Sequence, residues 1–323
     1  MSNFIDIQTA CDCCGSFLHK RIATKRGWSI HRCCECGLIF VSPQPTLKQL
    51  AKMYDKSRGY FATAEPDLSK TSSNAALYLH ELLLKNGVNR GSFLDVGCST
   101  GRLIYHMRNL GWNVTGIDID SDAIQIALTN KINVQTGELE DSHFQESSFD
   151  VVHMGDVLEH VRSPLSTLVK AHSLLRDGGF IIINTPNVEC GLALSSLLLS
   201  KVFKFPWPHS EAPLHLYEFS VKTLSLSLSR AGFEVRSAKY SGFRSFLYTV
   251  GGTGFFDELK ARMKQNGKYR VNLQFFQNIP KLAIVSSVIL PFHLFGRLYD
   301  KVLKTGPQII IIGRKLSKPV PPN

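Results

Sequence analysis

FLDVGCSTGRLIYHMRNLGWNVTGIDID, residues 93–120, decides the fold of this chain. An apolar strand closes on Asp95, and the turn after it carries Gly97 and Gly101. An amphipathic helix follows, then a second strand that closes on Asp118. In a doubly wound α/β sheet, such a first turn lets backbone approach a ligand at a helix N-terminus. Asp118 lies 21 residues beyond Gly97, at the tip of the neighbouring strand, where a carboxylate can accept both hydroxyls of a ribose. The stretch reads as a nucleoside-cofactor site. A dinucleotide fingerprint requires G-x-G-x-x-G. Its three positions here are Gly97, Ser99 and Arg102, so a pyrophosphate is poorly served.

The pattern D-x-G-x-x-x-G from Asp95 to Gly101 resembles motif I of class I S-adenosylmethionine-dependent methyltransferases. Four further stretches resemble later motifs of that family, in the same order. They are GELED (137–141), SFDVVHMGDVLEHV (148–161), LLRDGGFIIINTPN (174–187) and HLYEFSVKTLSLSLSRAGFEV (215–235). The resemblance covers roughly residues 90–240. It implies S-adenosyl-L-methionine as cofactor, met by Asp95, Gly97, Cys98, Gly101, Asp118, Ile119, Glu138, Leu139 and Gly155. Glu138 would meet the adenine amino group, Leu139 would pack on the ring, and Cys98 is read as a small packing residue. The competing readings are a nicotinamide oxidoreductase and a non-catalytic fold with chance matches.

Six of the eight cysteines fall between Cys11 and Cys36. The spacing Cys11-x2-Cys14-x18-Cys33-x2-Cys36 is that of a four-thiolate zinc site, and both pairs end in Cys-Gly. Four thiolates close the coordination shell, so the zinc expected here is structural. So short a stretch cannot bury enough apolar surface to fold alone, and metal binding would supply the missing stability. Cys13 and Cys34 are read as bystanders, and a disulfide framework is the alternative. The N-terminus resembles that of zinc-ribbon-bearing methyltransferases from surface-polysaccharide and secondary-metabolite clusters. The expected architecture is thus α/β: a Rossmann-like, seven-stranded methyltransferase sheet with an N-terminal zinc ribbon and a helical C-terminal insertion. The divisions are 1–45 (ribbon), 46–90 (helical connector and lid, with Tyr60 and Phe61 as lid aromatics), 91–242 (core), 243–306 (helical insertion), 307–316 (final strand) and 317–323 (disordered tail).

The net charge of +11 is unevenly spread along 323 residues. Residues 51–200 carry 12 basic and 17 acidic side chains, which suits a cationic sulfonium. Residues 201–323 carry 19 basic and 6 acidic ones, which implies an anionic partner. No secretory signal and no spanning apolar run is visible, so a cytoplasmic protein is expected. The run Leu282–Gly296, 15 uncharged residues between Lys281 and Arg297, reads either as a core or dimer-interface helix or as an interfacial helix. The second reading would bring the site to an anionic membrane at the inner face.

Methyl transfer to a hydroxyl needs alignment, exclusion of water and removal of a proton. Asp156, Glu159 and His160 follow the carboxyl end of the fourth core strand, where the methyl group should point. Histidine titrates near neutrality, so His160 is a candidate base, with a structural role as the alternative. D-x-x-E-H also resembles the segment in which quinone-pathway O-methyltransferases hold a divalent ion. His215 and Tyr217 are expected to line the pocket opposite the cofactor. The nucleobase-methylating turn (Asp/Asn)-Pro-Pro-aromatic is absent after that strand, so nucleic acid is disfavoured as a partner. The expected acceptor is a small molecule, a sugar or a lipid-linked intermediate. The alternative is a nucleic-acid-binding or RNA-modifying enzyme that uses the ribbon and the basic last third.

Overall fold

The computed structural model of the chain describes residues 9–53, 67–203, 206–207, 209–241, 296 and 298–316. Three short strands come first: β1 (His19–Lys25), β2 (Trp28–Cys33) and β3 (Ile39–Val41). They are followed by α1 (Leu47–Met53) and α2 (Asn74–Lys85). The core then alternates as β4 (Ser92–Val96), α3 (Arg102–Asn109), β5 (Asn113–Asp118), α4 (Ser121–Thr129) and β6 (Val134–Thr136). It continues through β7 (Phe149–Gly155), α5 (Pro164–Leu174), β8 (Leu175–Pro186), α6 (Gly191–Phe203) and β9 (Tyr217–Glu218). The last elements are α7 (Val221–Arg230), β10 (Phe233–Ser241) and β11 (Gln308–Lys315). The expected lid aromatics Tyr60 and Phe61, residues 282–295 of the apolar run and the tail 317–323 lie outside the described residues.

Seven strands form one sheet in the order β10-β11-β8-β7-β4-β5-β6. The five from β8 to β6 are parallel, while β11 runs antiparallel between β8 and β10. Strands buried on both faces read as continuous apolar runs, as FIII does in β8 and IIII in β11. One face is covered by α2, α3 and α4 through Leu83, Ile104, Met107 and Ala127. The other is covered by α5 and α7 through Leu168, Leu174, Leu224 and Leu228. Strand order reverses at β4, with β5 on one side and β7 on the other, and a ligand crevice opens at the carboxyl ends of such a pair.

The second sheet has the order β1-β2-β3-β9. Its fourth strand comes from the segment following β8 rather than from the N-terminal residues. Trp207, fully buried between this sheet and α6, donates from Nε1 to the Ala193 carbonyl (3.3 Å) and the Ser196 hydroxyl (3.1 Å). The apolar helix 191–203 thus packs over the small sheet, together with Val188 and Cys190. No described helix is long and apolar enough to cross a membrane.

Candidate active site

The turn between β4 and α3 is built as its glycines demand. Gly97 takes φ +72°, and a Cβ there would collide with the Val157 side chain. Gly101 takes φ +77°, and a Cβ would stand 2.8 Å from Ile132 and 3.1 Å from Ala127. Only glycine tolerates both conditions. The Gly97 N–H donates to the Ile117 carbonyl (2.8 Å), which ties the turn to the end of β5. Cys98 is buried, and its Sγ packs where a Cβ on Gly116 would stand. Burial, then the nearby Asp95 and Asp118 carboxylates, push its thiol far up.

Asp118 accepts from the Ser99 N–H through Oδ2 (2.7 Å) and from the Asp120 N–H through Oδ1 (2.8 Å). Each oxygen retains a lone pair for a further donor. Loss of hydration pushes this carboxyl up, although the two N–H groups oppose the shift. The neighbouring Ile119 is 57% exposed, an apolar side chain presented to solvent at a strand tip. Glu138 is exposed, while Leu139 is buried in the core. A cavity of about 500 Å³ adjoins this edge, lined among others by Asp95, Gly97, Cys98, Ser99, Arg102 and Gly155.

His153 also lines that cavity, and the sequence reading missed it. Its Nδ1 lies 2.6 Å from Asp95 Oδ1, and its ring stacks on Phe93. The pairing follows from register, Asp95 standing opposite His153 between β4 and β7. Nothing in either local motif announces that register.

Past the end of β7, Glu159, His160 and His215 offer ligand atoms that all lie within 4.8 Å of one another. The His160 Nδ1 lies 3.0 Å from the Leu214 carbonyl, an acceptor, so the proton sits on Nδ1 and Nε2 keeps its lone pair. Burial pulls His160 down to about 4, and burial, then His160, pull His215 well below the ordinary histidine value. The rings meet edge to face at 4.7 Å. Glu159 is 1% exposed, accepts from the Thr185 hydroxyl (2.9 Å) and has no partner for Oε1 among the described residues. Burial, then Asp156, push its carboxyl well above the usual range.

Two expectations change on this side. Asp156, the first acid of D-x-x-E-H, stands apart from the cluster; its carboxyl is pushed up by lost hydration and held by the Gln308 side chain. His215 takes its place beside Glu159 and His160. Tyr217 does not face the acceptor. It is 2% exposed, and its hydroxyl is fixed by Gln44 (2.8 Å) and the Arg162 carbonyl (2.9 Å).

The four spaced cysteines converge as their spacing requires, and all eight cysteines are free thiols. Cys11 and Cys36 sulfurs are 3.5 Å apart, Cys14 and Cys33 sulfurs 3.4 Å. A tetrahedral ion with bonds of about 2.3 Å separates its sulfurs by about 3.8 Å, so the donor set fits zinc. Gly15 (φ +73°) and Gly37 (φ +88°) make the two tight turns, and the Leu38 N–H points at Cys36 Sγ (3.5 Å). Burial pushes Cys11 up to about 12 and Cys36 higher still. It acts against Cys33 too, but the N–H groups of Cys36 and Glu35 outweigh it and bring that thiol to about 7. Buried sulfurs of this kind favour a cation that compensates their thiolates. Cys13 is wholly buried beside Ser227 of α7, and Cys34 is exposed.

Comparisons with known proteins agree with this geometry. A family model described as "Methyltransferase domain" matches residues 69–238, more than half of the chain. A ubiquinone biosynthesis O-methyltransferase of Colwellia psychrerythraea is 31% identical over 137 residues, 40% of this chain and 56% of that protein. Its namesake from Albidiferax ferrireducens is 37% identical over 102 residues, 29% of this chain and 40% of that protein. The chain therefore spans about half the length of the curated relatives it matches. The solved structure of the [4+2]-cyclase SpnF is 20% identical and superposes with a TM-score of 0.52, covering 85% of this chain and 99% of that one. That likeness speaks to the fold alone. A reversed strand order at a glycine-built turn, an acid at the next strand tip and the matched family model lead to one conclusion: the chain belongs to the methyltransferase-domain family.

Proposed function

We propose that this chain is an S-adenosylmethionine-dependent enzyme that methylates an oxygen of a small-molecule acceptor, with His160 as the base and a structural zinc ion in the four-cysteine site. The observation that carries the reading is the His160 tautomer. With Nδ1–H committed to the Leu214 carbonyl, Nε2 can take the proton that an acceptor hydroxyl must lose. Bound S-adenosylmethionine supplies an electrophilic methyl group on a sulfonium. Asp118 would accept the ribose hydroxyls, Ile119 and Glu138 would meet the adenine, and the backbone of Gly97 and Gly101 would border the methionine end. Arg102, exposed at the cavity, offers a cation for the cofactor carboxylate. His215 would orient the acceptor beside His160.

The names of the O-methyltransferase relatives support oxygen as the acceptor atom and a quinol-like or phenolic acceptor class. A sugar or a lipid-linked acceptor is compatible with the same chemistry. The test is transfer of labelled methyl from S-adenosylmethionine to a panel of catechols, phenols and sugars, by wild type and His160→Gln. Transfer that persists undiminished in the variant would overturn His160 as base.

A second reading is favoured by one observation, the convergence of Glu159, His160 and His215. These three could hold a divalent ion that binds paired acceptor oxygens and lowers their proton affinity. Turnover that survives exhaustive chelation, with the cysteine-bound metal retained, would eliminate this version.

A further inference from the structure

Glu159 and His160 are both supported by backbone of the segment 214–217. The Glu159 carbonyl accepts from the N–H groups of Leu216 (2.8 Å) and Tyr217 (3.2 Å). The Leu214 carbonyl accepts from the His160 ring. That segment is in turn held by the small sheet. Val41 N–H donates to the Leu216 carbonyl (2.9 Å), and β3 pairs with β9, Phe40 opposite Tyr217 and Ile39 opposite Glu218. Side chains brace the same joint. Gln44 reaches the Tyr217 hydroxyl, the hydroxyl reaches the Arg162 carbonyl, and Arg162 Nη1 returns to the Pro45 carbonyl (2.9 Å). Asp12, between Cys11 and Cys14, accepts from the Ser163 hydroxyl (2.6 Å) and the Leu165 N–H (2.7 Å) at the start of α5.

Hydrogen bonds at the cofactor edge involve other partners. Asp118 meets Ser99 and Asp120, Asp95 meets His153, and Gly97 meets Ile117, all within residues 95–153. The two groups of residues draw their hydrogen bonds from different parts of the molecule.

We infer that the cysteine ribbon is a positioning part of the acceptor site, with Gln44 and Tyr217 as the positioning residues. Metal loading fixes β3, β3 fixes residues 214–218, and these fix Glu159, His160 and His215. Among the described residues, Asp95, Gly97 and Asp118 take no hydrogen bond from this joint. The physical basis is the length of the joint. β3 has three residues and β9 two, and each hydrogen bond adds little net stability. So short a pairing gains from the knuckle turns that hold β3 in place. The inference rests on the proposed metal in the four-cysteine site.

The test is hydrogen exchange by mass spectrometry on the full chain as purified, after chelation and after zinc is restored. Chelation is expected to speed exchange in residues 157–163 and 213–219 by about tenfold, reversed by zinc, with residues 93–99 and 114–119 changing less than about twofold. The dissociation constant of S-adenosylhomocysteine should stay within about threefold over the same cycle. Equal acceleration at both edges, or none at either, would overturn the inference. Tyr217→Phe, which leaves the four cysteines in place, guards against simple unfolding. It should keep its metal and its S-adenosylhomocysteine affinity, yet speed exchange in 213–219 by about fivefold. It should also shift the kcat against KM balance for whichever acceptor is turned over. An unchanged Tyr217→Phe would likewise overturn the role of the joint. A chain that holds no metal as purified would defeat the metal reading and, with it, the first link. Failure of wild type to bind S-adenosylhomocysteine would instead defeat the cofactor assignment.

Discussion

The proposed cofactor and acceptor sides are built on different plans. On the proposed cofactor side, turn, helix and acid all come from residues 93–120, with Ile132, His153 and Val157 closing on them from elsewhere. On the proposed acceptor side, Glu159 and His160 meet His215 where residues 214–218 fold back against β3. The first edge is a local motif that any sheet of this order can carry. The second is an assembly of distant segments, and its precision depends on whatever holds those segments.

The contrast can be broken by substitution. The largest expected effect is that of Cys33→Ser, which removes one of four thiolates. Loss of metal and a fall of about 10 °C or more in melting temperature are expected, since structural zinc contributes folding free energy outright. Metal content and calorimetry would read both. S-adenosylhomocysteine binding lost to the same degree would mean that the edges are one unit.

His160→Gln comes next. A general base contributes about 10²–10⁴-fold to the rate, so kcat should fall by that range while S-adenosylhomocysteine affinity changes by less than about twofold. Isothermal titration beside a methyl-transfer assay separates the two quantities. Above pH 5 the wild-type ring is already neutral, so no acid limb from His160 is expected in the free enzyme between pH 5 and 7.

Asp118→Ala tests the opposite edge. Hydrogen bonds to a charged group contribute about 1.5–3 kcal/mol each, so S-adenosylhomocysteine should bind about 100-fold more weakly. Thermal stabilisation by millimolar cofactor should vanish, while metal content stays that of wild type. A variant that still gains the wild-type shift would place the ribose elsewhere.

The smallest effect concerns Glu218, buried on β9 and pushed up to about 8 by loss of hydration, with Ser210 and Lys25 opposing. Its folded value lies above its unfolded one. Its stabilising contribution is therefore complete below about pH 4.5 and is lost as pH rises through 8. Between pH 7 and 8 that loss is about 1 kcal/mol. Glu218→Gln, which keeps the uncharged form, should flatten the decline in urea melts over this interval. In wild type the loosening should appear in residues 213–219 before it appears in 93–99. An identical slope in variant and wild type would remove Glu218 from the account.

Legibility followed the same division. Gly97, Gly101 and Asp118 were readable because a tight turn and a strand tip impose residue types at fixed spacing. The four converging cysteines were readable because two Cys-x2-Cys turns bring their sulfurs together at fixed spacing. His153 was not, since its place beside Asp95 depends on which strand pairs with β4 and in what register. Tyr217 was read as facing the acceptor from its motif, yet β9 turns it toward Gln44 and the ribbon. Asp156 was read with Glu159 and His160 from spacing, yet it takes a positive φ (53°) at the strand end and turns to Gln308.

The amino-acid sequence by itself determined the order of the core elements, the glycine-lined turn, the acid at the next strand tip and the thiolate set. Each depends on interactions that span a few residues or repeat at a fixed period, so composition and spacing suffice. Only the tertiary structure decided that His215 joins Glu159 and His160, that His153 backs Asp95, and that the small sheet borrows its last strand from beyond the core. Those facts rest on pairings between segments more than 50 residues apart, where hydrogen bonds and packing of the whole fold select one register among many.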